Sequence, residues 1–178
     1  MAELKTEKRY EQAILDRYIC MTFLGKIDEC RHYGGLKANG EKNILKHYHF
    51  EDKFYLANEH IGLKLLKAKT IKSPFAVNIV EAINVDDNEL FIIFEFCKGI
   101  VLKEDVLTRK KQLRYYSDEE LWNITTELLL GLFEYFKVGL KHGNIHLKNI
   151  LMPFYGHVKL GELRIKKPSS MLGRTPIS

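Results

Sequence analysis

No apolar run in this chain approaches the ~20 residues that a bilayer-spanning helix needs, and none serves as the core of a secretory leader, since Met1 to Arg9 alternate charged with small residues. No membrane association is expected on either ground. Cysteine is scarce as well. Cys20, Cys30 and Cys97 are odd in number and far apart, which fits neither a disulfide framework nor a zinc site. They read as reduced, partly buried thiols, and so as a sign of a reducing cytoplasmic compartment. Internal repeats and low-complexity tracts are missing. So is a basic stripe interleaved with stacking aromatics. The densest cluster, Arg109-Lys110-Lys111 with Arg114, falls in a loop-like stretch beside Tyr115-Tyr116 alone and reads as a solvated face, so no nucleic-acid partner is expected.

What is present supports one compact domain: 178 residues, 46% hydrophobic, 11% aromatic, with a net charge of +5. Tyr18 to Leu24 is β-branched and aromatic and predicts a strand broken by Gly25. Gly34-Gly35 and Asn39-Gly40 are turn signals, the second of the kind that closes a hairpin. Asn43 to Phe50 predicts the next strand. From Phe54 to Ile71 the apolar residues Ile61, Leu65, Ala68 and Ile71 recur at helical spacing, ended by Ser73-Pro74. Two strands, Val77 to Val85 and Glu89 to Phe96, then flank the turn Asp86-Asp87-Asn88. A polar linker follows Cys97-Lys98-Gly99. Ser117 with Glu120 forms a capping box opening a long helix that ends near Val138. Leu121, Ile124, Leu128, Leu132 and Phe136 share one face of it, and Leu129, Leu130 and Phe133 widen the stripe beyond that of a surface helix. Strands with one inserted helix, a linker, then a long helix and short strands make an α+β, two-lobed order.

The second half carries the chemistry. His142-Gly143-Asn144-Ile145-His146-Leu147-Lys148-Asn149 and Val158-Lys159-Leu160-Gly161-Glu162 resemble the catalytic and metal-binding loops of protein kinases. His142 and Asn149 match H-R-D-x-x-x-x-N in separation, and Glu162 stands thirteen residues beyond Asn149, where the D-F-G aspartate belongs. Phe94-Glu95-Phe96-Cys97 resembles the hinge between lobes, and Lys46 falls at the third-strand lysine. The resemblance implies a protein-kinase-like fold: an extension over 1–17, an N-lobe of antiparallel sheet and one helix over 18–97, and a truncated C-lobe over 98–178 that ends within the activation loop.

Several residues depart from the kinase pattern. Asn144, a neutral amide, replaces the aspartate that accepts the substrate proton. His146 replaces the lysine that steadies the transferring phosphate. Glu162 is a carboxylate and so a conceivable magnesium ligand, with an extra methylene. The Gly-rich loop keeps Gly25, but Ile27 and Cys30 stand at its second and third glycine positions, where backbone must approach phosphate closely. A gapless count places Lys64, facing Lys46, at the helix glutamate; Glu59 is the alternative. Simpler roles stand beside these: packing for His142, a stem along the lobe interface for Lys46, and bonds to its own loop for Asn149. The expectation is a non-enzyme without cofactor or metal, retaining Gly25, Lys46 and Asn149 as remnants of a nucleotide site.

Within kinase-like proteins the chain resembles the pseudokinase domains of the mixed lineage kinase domain-like family, in its short poxvirus-encoded form. That family has His-Gly for His-Arg, then a VKL strand and a GFELRK-like segment. The counterparts are His142-Gly143, Val158-Lys159-Leu160 and Gly161-Glu162-Leu163-Arg164-Ile165-Lys166, with one position of the last segment missing. Ser169 and Ser170 fall where the family's activation-loop acceptors lie, as phospho-acceptors or a pseudosubstrate. The resemblance implies a decoy in the host cytoplasm that occupies a receptor-interacting protein kinase and blocks necroptosis; the alternatives are a weakly active unconventional kinase using Glu162 for metal, or a cellular pseudokinase scaffold that regulates another kinase. The outer face of the broad apolar helix, or the cleft side of the two lobes, is expected to be covered by that kinase or by a second copy of this chain.

Overall fold

A computed structural model of the chain describes residue 14 and residues 16–27, 30–50, 59–84 and 89–165. Five strands form one antiparallel sheet in the order β1-β2-β3-β5-β4: β1 Cys20–Ile27, β2 Cys30–Leu36, β3 Lys42–His49, β4 Ile79–Asn84 and β5 Glu89–Glu95. Helix α1, Glu59–Lys69, lies between β3 and β4 in the chain. After β6, Gly99–Val101, come α2, Leu102–Lys111, and α3, Asp118–Lys137. A 3-10 turn, Leu147–Asn149, leads into β7, Ile150–Pro153, and β8, Lys159–Leu160; these pair with β6 as a second sheet in the order β6-β7-β8. This is the α+β order that the sequence predicts.

Strand β3 shows why the main sheet is two-faced. Asn43, Leu45 and His47 are buried on one side, where Leu45 joins Phe91, Ile93, Tyr18 and Ile14. Ile44 and Tyr48 alternate onto the other, against a larger core holding Ile61, Leu65, Ala68 and Ile71. That core continues through Tyr135, Ile150, Leu160, Leu163 and Ile165, so the second half packs on the same apolar mass as the first. Backbone reinforces the junction: Val77 N–H donates to Leu160 C=O at 2.8 Å and Leu160 N–H to Phe75 C=O at 2.9 Å.

Four readings of the sequence need correction. Gly25 does not break β1; the strand runs through it with a bulge between Phe23 and Gly25, and Gly25 sits at φ +133°. Gly34-Gly35 is not a turn but lies inside β2, because a Cβ on Gly35 would come within 2.6 Å of the Tyr18 ring. Small size, not flexibility, is what the chain requires there. The linker holds a helix, α2: Leu102 is buried and Arg109 is clamped by Asp105 at 2.8 Å and Glu120 at 2.7 Å over the Tyr116 ring. One of the four residues of that basic cluster, Arg109, is therefore structural, in a polar helix with no apolar stripe to betray it. On α3 the core face is Ile124, Leu128, Gly131, Leu132 and Tyr135, whereas Leu121 and Phe136 face outward. Cys20 is exposed, Cys30 buried and Cys97 half-buried, and none of the three is in a disulfide.

Other expectations hold. Asn39-Gly40 makes a turn, with Gly40 at φ +83° and Asn39 Oδ1 accepting from Glu41 N–H at 3.0 Å. The capping box is complete: Ser117 Oγ accepts from Glu120 N–H at 3.1 Å and Glu120 accepts from Ser117 N–H at 2.8 Å. The Asp86-Asp87-Asn88 turn and the start of the expected first helix lie outside the described residues.

Two helical glycines should respond oppositely to alanine. At Gly62 of α1 a Cβ meets nothing within 4 Å, so Gly62→Ala should stabilise by up to about 1 kcal/mol. At Gly131 of α3 it would stand 2.5 Å from Phe75 C=O, and overpacking of about 1–3 kcal/mol should exceed that gain. Urea midpoints that move in the same direction for both variants would contradict this account of how α3 is seated.

Candidate functional site

The candidate site lies between the cleft face of β3 and the segment 142–165. Because side chains alternate along a strand, Lys46 and Tyr48 emerge on one face of β3, two residues apart. Both reach Glu162: the Lys46 ammonium pairs with one carboxylate oxygen and the Tyr48 hydroxyl donates to the other. Glu162 is buried and Lys46 half-buried. Burial, followed by the Glu162 charge, holds the Tyr48 phenol well above its usual pKa, so it remains a donor. Lys46 also sits 5.5 Å from the centre of the Phe94 ring.

Beneath Glu162 the chain is fixed by side-chain amides. Asn149 is buried: its Nδ2 donates to Asn144 C=O and Glu162 C=O, each at 2.7 Å, and its Oδ1 accepts from Glu162 N–H at 3.0 Å. Asn144 Nδ2 adds a bond to Glu162 C=O at 3.1 Å. A Cβ on Gly161 would collide with the Asn149 side chain, which explains a glycine before Glu162. His142 is buried edge-on against Tyr135, with ring centres 4.8 Å apart. Its Nε2 lies 3.1 Å from Gly161 C=O and its Nδ1 3.3 Å from Asn144 N–H, a pattern met by a neutral ring protonated at Nε2. Burial, the largest influence, lowers its pKa and favours that neutral form. Gly143, at φ +69°, turns the backbone between these two residues.

The remaining predicted residues are spread out. Lys64, on α1, donates to Arg164 C=O, and burial, then the Arg164 charge, lowers its pKa. Glu59 opens α1, with its side chain outside the described part. His146 is exposed, its C=O accepting from Asn149 N–H at 2.8 Å. Gly25 lies in β1 with open space around it, Ile27 ends that strand and Cys30 begins the next. A shallow depression of about 290 Å³, lined by Leu24, Ile44 and Phe96 among others, lies on this face, but Lys46 and Glu162 are not part of its wall. Ser169 and Ser170 lie outside the described residues.

Sequence reasoning missed Tyr48 as a partner of Glu162, although its i+2 relation to Lys46 put it on the cleft face. It also missed Lys159, which bridges to Glu95 at 2.7 Å and ties β8 to the end of β5.

Comparison with known proteins supports the fold. No family model matches the chain. It is 28% identical to the serine/threonine-protein kinase CLA4 of Candida albicans over 70% of its length, and 26% identical to ribosomal protein S6 kinase 2 beta of Xenopus laevis over 62%. It spans only 12% and 20% of those proteins. Among solved structures, the kinase domain of maize SIRK1, bound to AMP-PNP, superposes with a TM-score of 0.69 at 15% identity, covering 84% of this chain and 53% of that one. The chain therefore has a protein-kinase-like fold and distant kinase homologues. The expectation that it is not an enzyme is corrected by the same findings: the relatives it matches are named protein kinases, and its fold is a kinase fold.

Kinase folds imply a divalent cation near Asn149 and Glu162. Here Asn149 Oδ1 is taken by a backbone N–H and both Glu162 oxygens by Lys46 and Tyr48. Among the described residues no three His, Cys, Asp or Glu side chains cluster as a metal site would. The residues as arranged do not fit the ion.

Asn149→Asp tests the amide lattice. The shape is kept, but Asn144 C=O loses its Asn149 donor, Glu162 C=O loses one of its two, and a second carboxylate is placed near Glu162. The expected loss is about 2–4 kcal/mol at pH 7. A denaturant midpoint shifted by less than about 0.5 kcal/mol would contradict the assignment.

Proposed function

We propose that this chain works by occupying another protein kinase. It is read as a kinase-like domain, related to the mixed lineage kinase domain-like family in its poxvirus-encoded form, that binds a host receptor-interacting protein kinase in the cytoplasm and restrains necroptosis. The observation that carries this reading is at position 144. Where a kinase holds a proton acceptor, this chain has an amide whose Nδ2 is turned onto the Glu162 carbonyl. The His142-Gly143 pair, the Val158-Lys159-Leu160 strand and the segment from Gly161 to Lys166 support the family. Ser169 and Ser170 would be offered to the partner's active site, as acceptors or as a pseudosubstrate.

The proposal concerns what the chain binds, and it holds with or without residual phosphoryl transfer. A second reading, favoured by the kinase relatives and by Lys46 at the heart of the cleft, is a protein kinase of low activity in its own right.

Co-precipitation from cells driven into necroptosis separates the two. The tagged chain should bring down the receptor-interacting protein kinase and reduce cell death, and Ser169→Ala/Ser170→Ala should change that capture. Absence of the kinase from the precipitate, together with labelled phosphate on a peptide that depends on Lys46, would favour the second reading and sink the first.

A further inference from the structure

The outward face of α3 carries more apolar surface than a solvated helix needs. Trp122, Leu129, Phe133 and Phe136 are 71%, 60%, 53% and 75% exposed, with Leu121 and Leu130 beside them. The helix cannot roll to hide them, because its other face is seated through Gly131 against Phe75 and through Tyr135 against His142. The three aromatics alone leave roughly 400 Å² of side chain in contact with water on each copy, and the leucines extend this past the ~300–600 Å² that is the largest patch of typical monomers.

The pattern of that face points to its occupant. Residues 122, 126, 129, 133 and 136 alternate at steps of four and three, the seam of a helix pair. Its two outer aromatics, Trp122 and Phe136, stand seven residues either side of Leu129, so they exchange places when the helix is read in the opposite direction. Trp122 then meets Phe136 of the second copy, Leu129 meets its counterpart, and Phe133 falls opposite the small side chains of Thr125 and Thr126. Charge follows the same rule. Asp118 and Glu119 stand exposed at the N-terminal end, while Lys137 and Lys141 stand exposed at and just past the C-terminal end. Antiparallel pairing places acid against base at both ends and aligns the helix dipoles favourably. Parallel pairing would stack like charges. The existing Lys137 to Glu134 pair at 2.6 Å is exposed and readily exchanged.

We propose that α3 is the interface of a two-fold symmetric dimer of this chain, an antiparallel helix pair centred on Leu129. The inference does not rest on the kinase-partner reading, and its test uses the purified chain alone.

Sedimentation equilibrium at micromolar concentration should give the mass of two copies. Leu129→Asp/Phe133→Asp should give one copy with an unchanged far-ultraviolet spectrum. Should that variant fail to fold, charge variants decide. Asp118→Lys/Glu119→Lys and Lys137→Glu/Lys141→Glu should each weaken self-association by about tenfold, and mixing the two should restore it as a heterodimer. A wild-type chain that stays single, including one that engages another protein through this face, would overturn the proposal. So would charge variants that associate normally or fail to complement.

Discussion

The two halves of this chain meet at one buried carboxylate, Glu162, and at the groups that satisfy it. Leaving such a group unpaired costs several kcal/mol. Here one oxygen takes the Lys46 ammonium, the other takes the Tyr48 hydroxyl, and the residue's own backbone is held by Asn149 and Asn144. Two β3 side chains and two loop amides thus converge on one residue more than a hundred positions along the chain from Lys46. The main sheet and the 142–165 segment are joined at that point by charge, and around it by the shared apolar core.

The same convergence bears on function. In a kinase fold the lysine, the asparagine and the acidic residue are the groups that would face a nucleotide's phosphates and their ion. In this chain they face one another. A ligand entering here must first exchange those bonds, whereas a protein partner bound elsewhere need not. That difference gives the partner-binding reading its physical basis, while the kinase fold and the kinase homologues keep phosphoryl transfer as the competing one.

Much of this was legible in the sequence, for reasons that differ by element. The helix α1 announced itself because Ile61, Leu65 and Ala68 repeat at helical spacing and all bury. The start of α3 was legible from a two-residue capping box. The loop residues were found by spacing, since His142, Asn149 and Glu162 keep the separations that the fold requires. What escaped was anything set by contacts distant in the chain. Gly34-Gly35 resembles a turn until Tyr18 is seen lying across it. Helix α2 has no apolar period, and a clamp from Arg109 to Glu120 in the next helix seats it. Tyr48 and Glu162 have no local sign of each other at all.

The outer face of α3 follows from the same logic. A helix fixed on one side by a glycine against a carbonyl and by a tyrosine against a histidine presents its other side unavoidably, so its exposed aromatics are a consequence of how the core is built.

The claim on which the account most depends is that Lys46 and Glu162 hold each other. A double-mutant cycle with Lys46→Met, Glu162→Gln and the pair, read by urea denaturation at pH 7, measures it directly. Each single variant should be strongly destabilising and the pair much less than their sum, with a coupling of about 1–3 kcal/mol. Losses that simply add would contradict it.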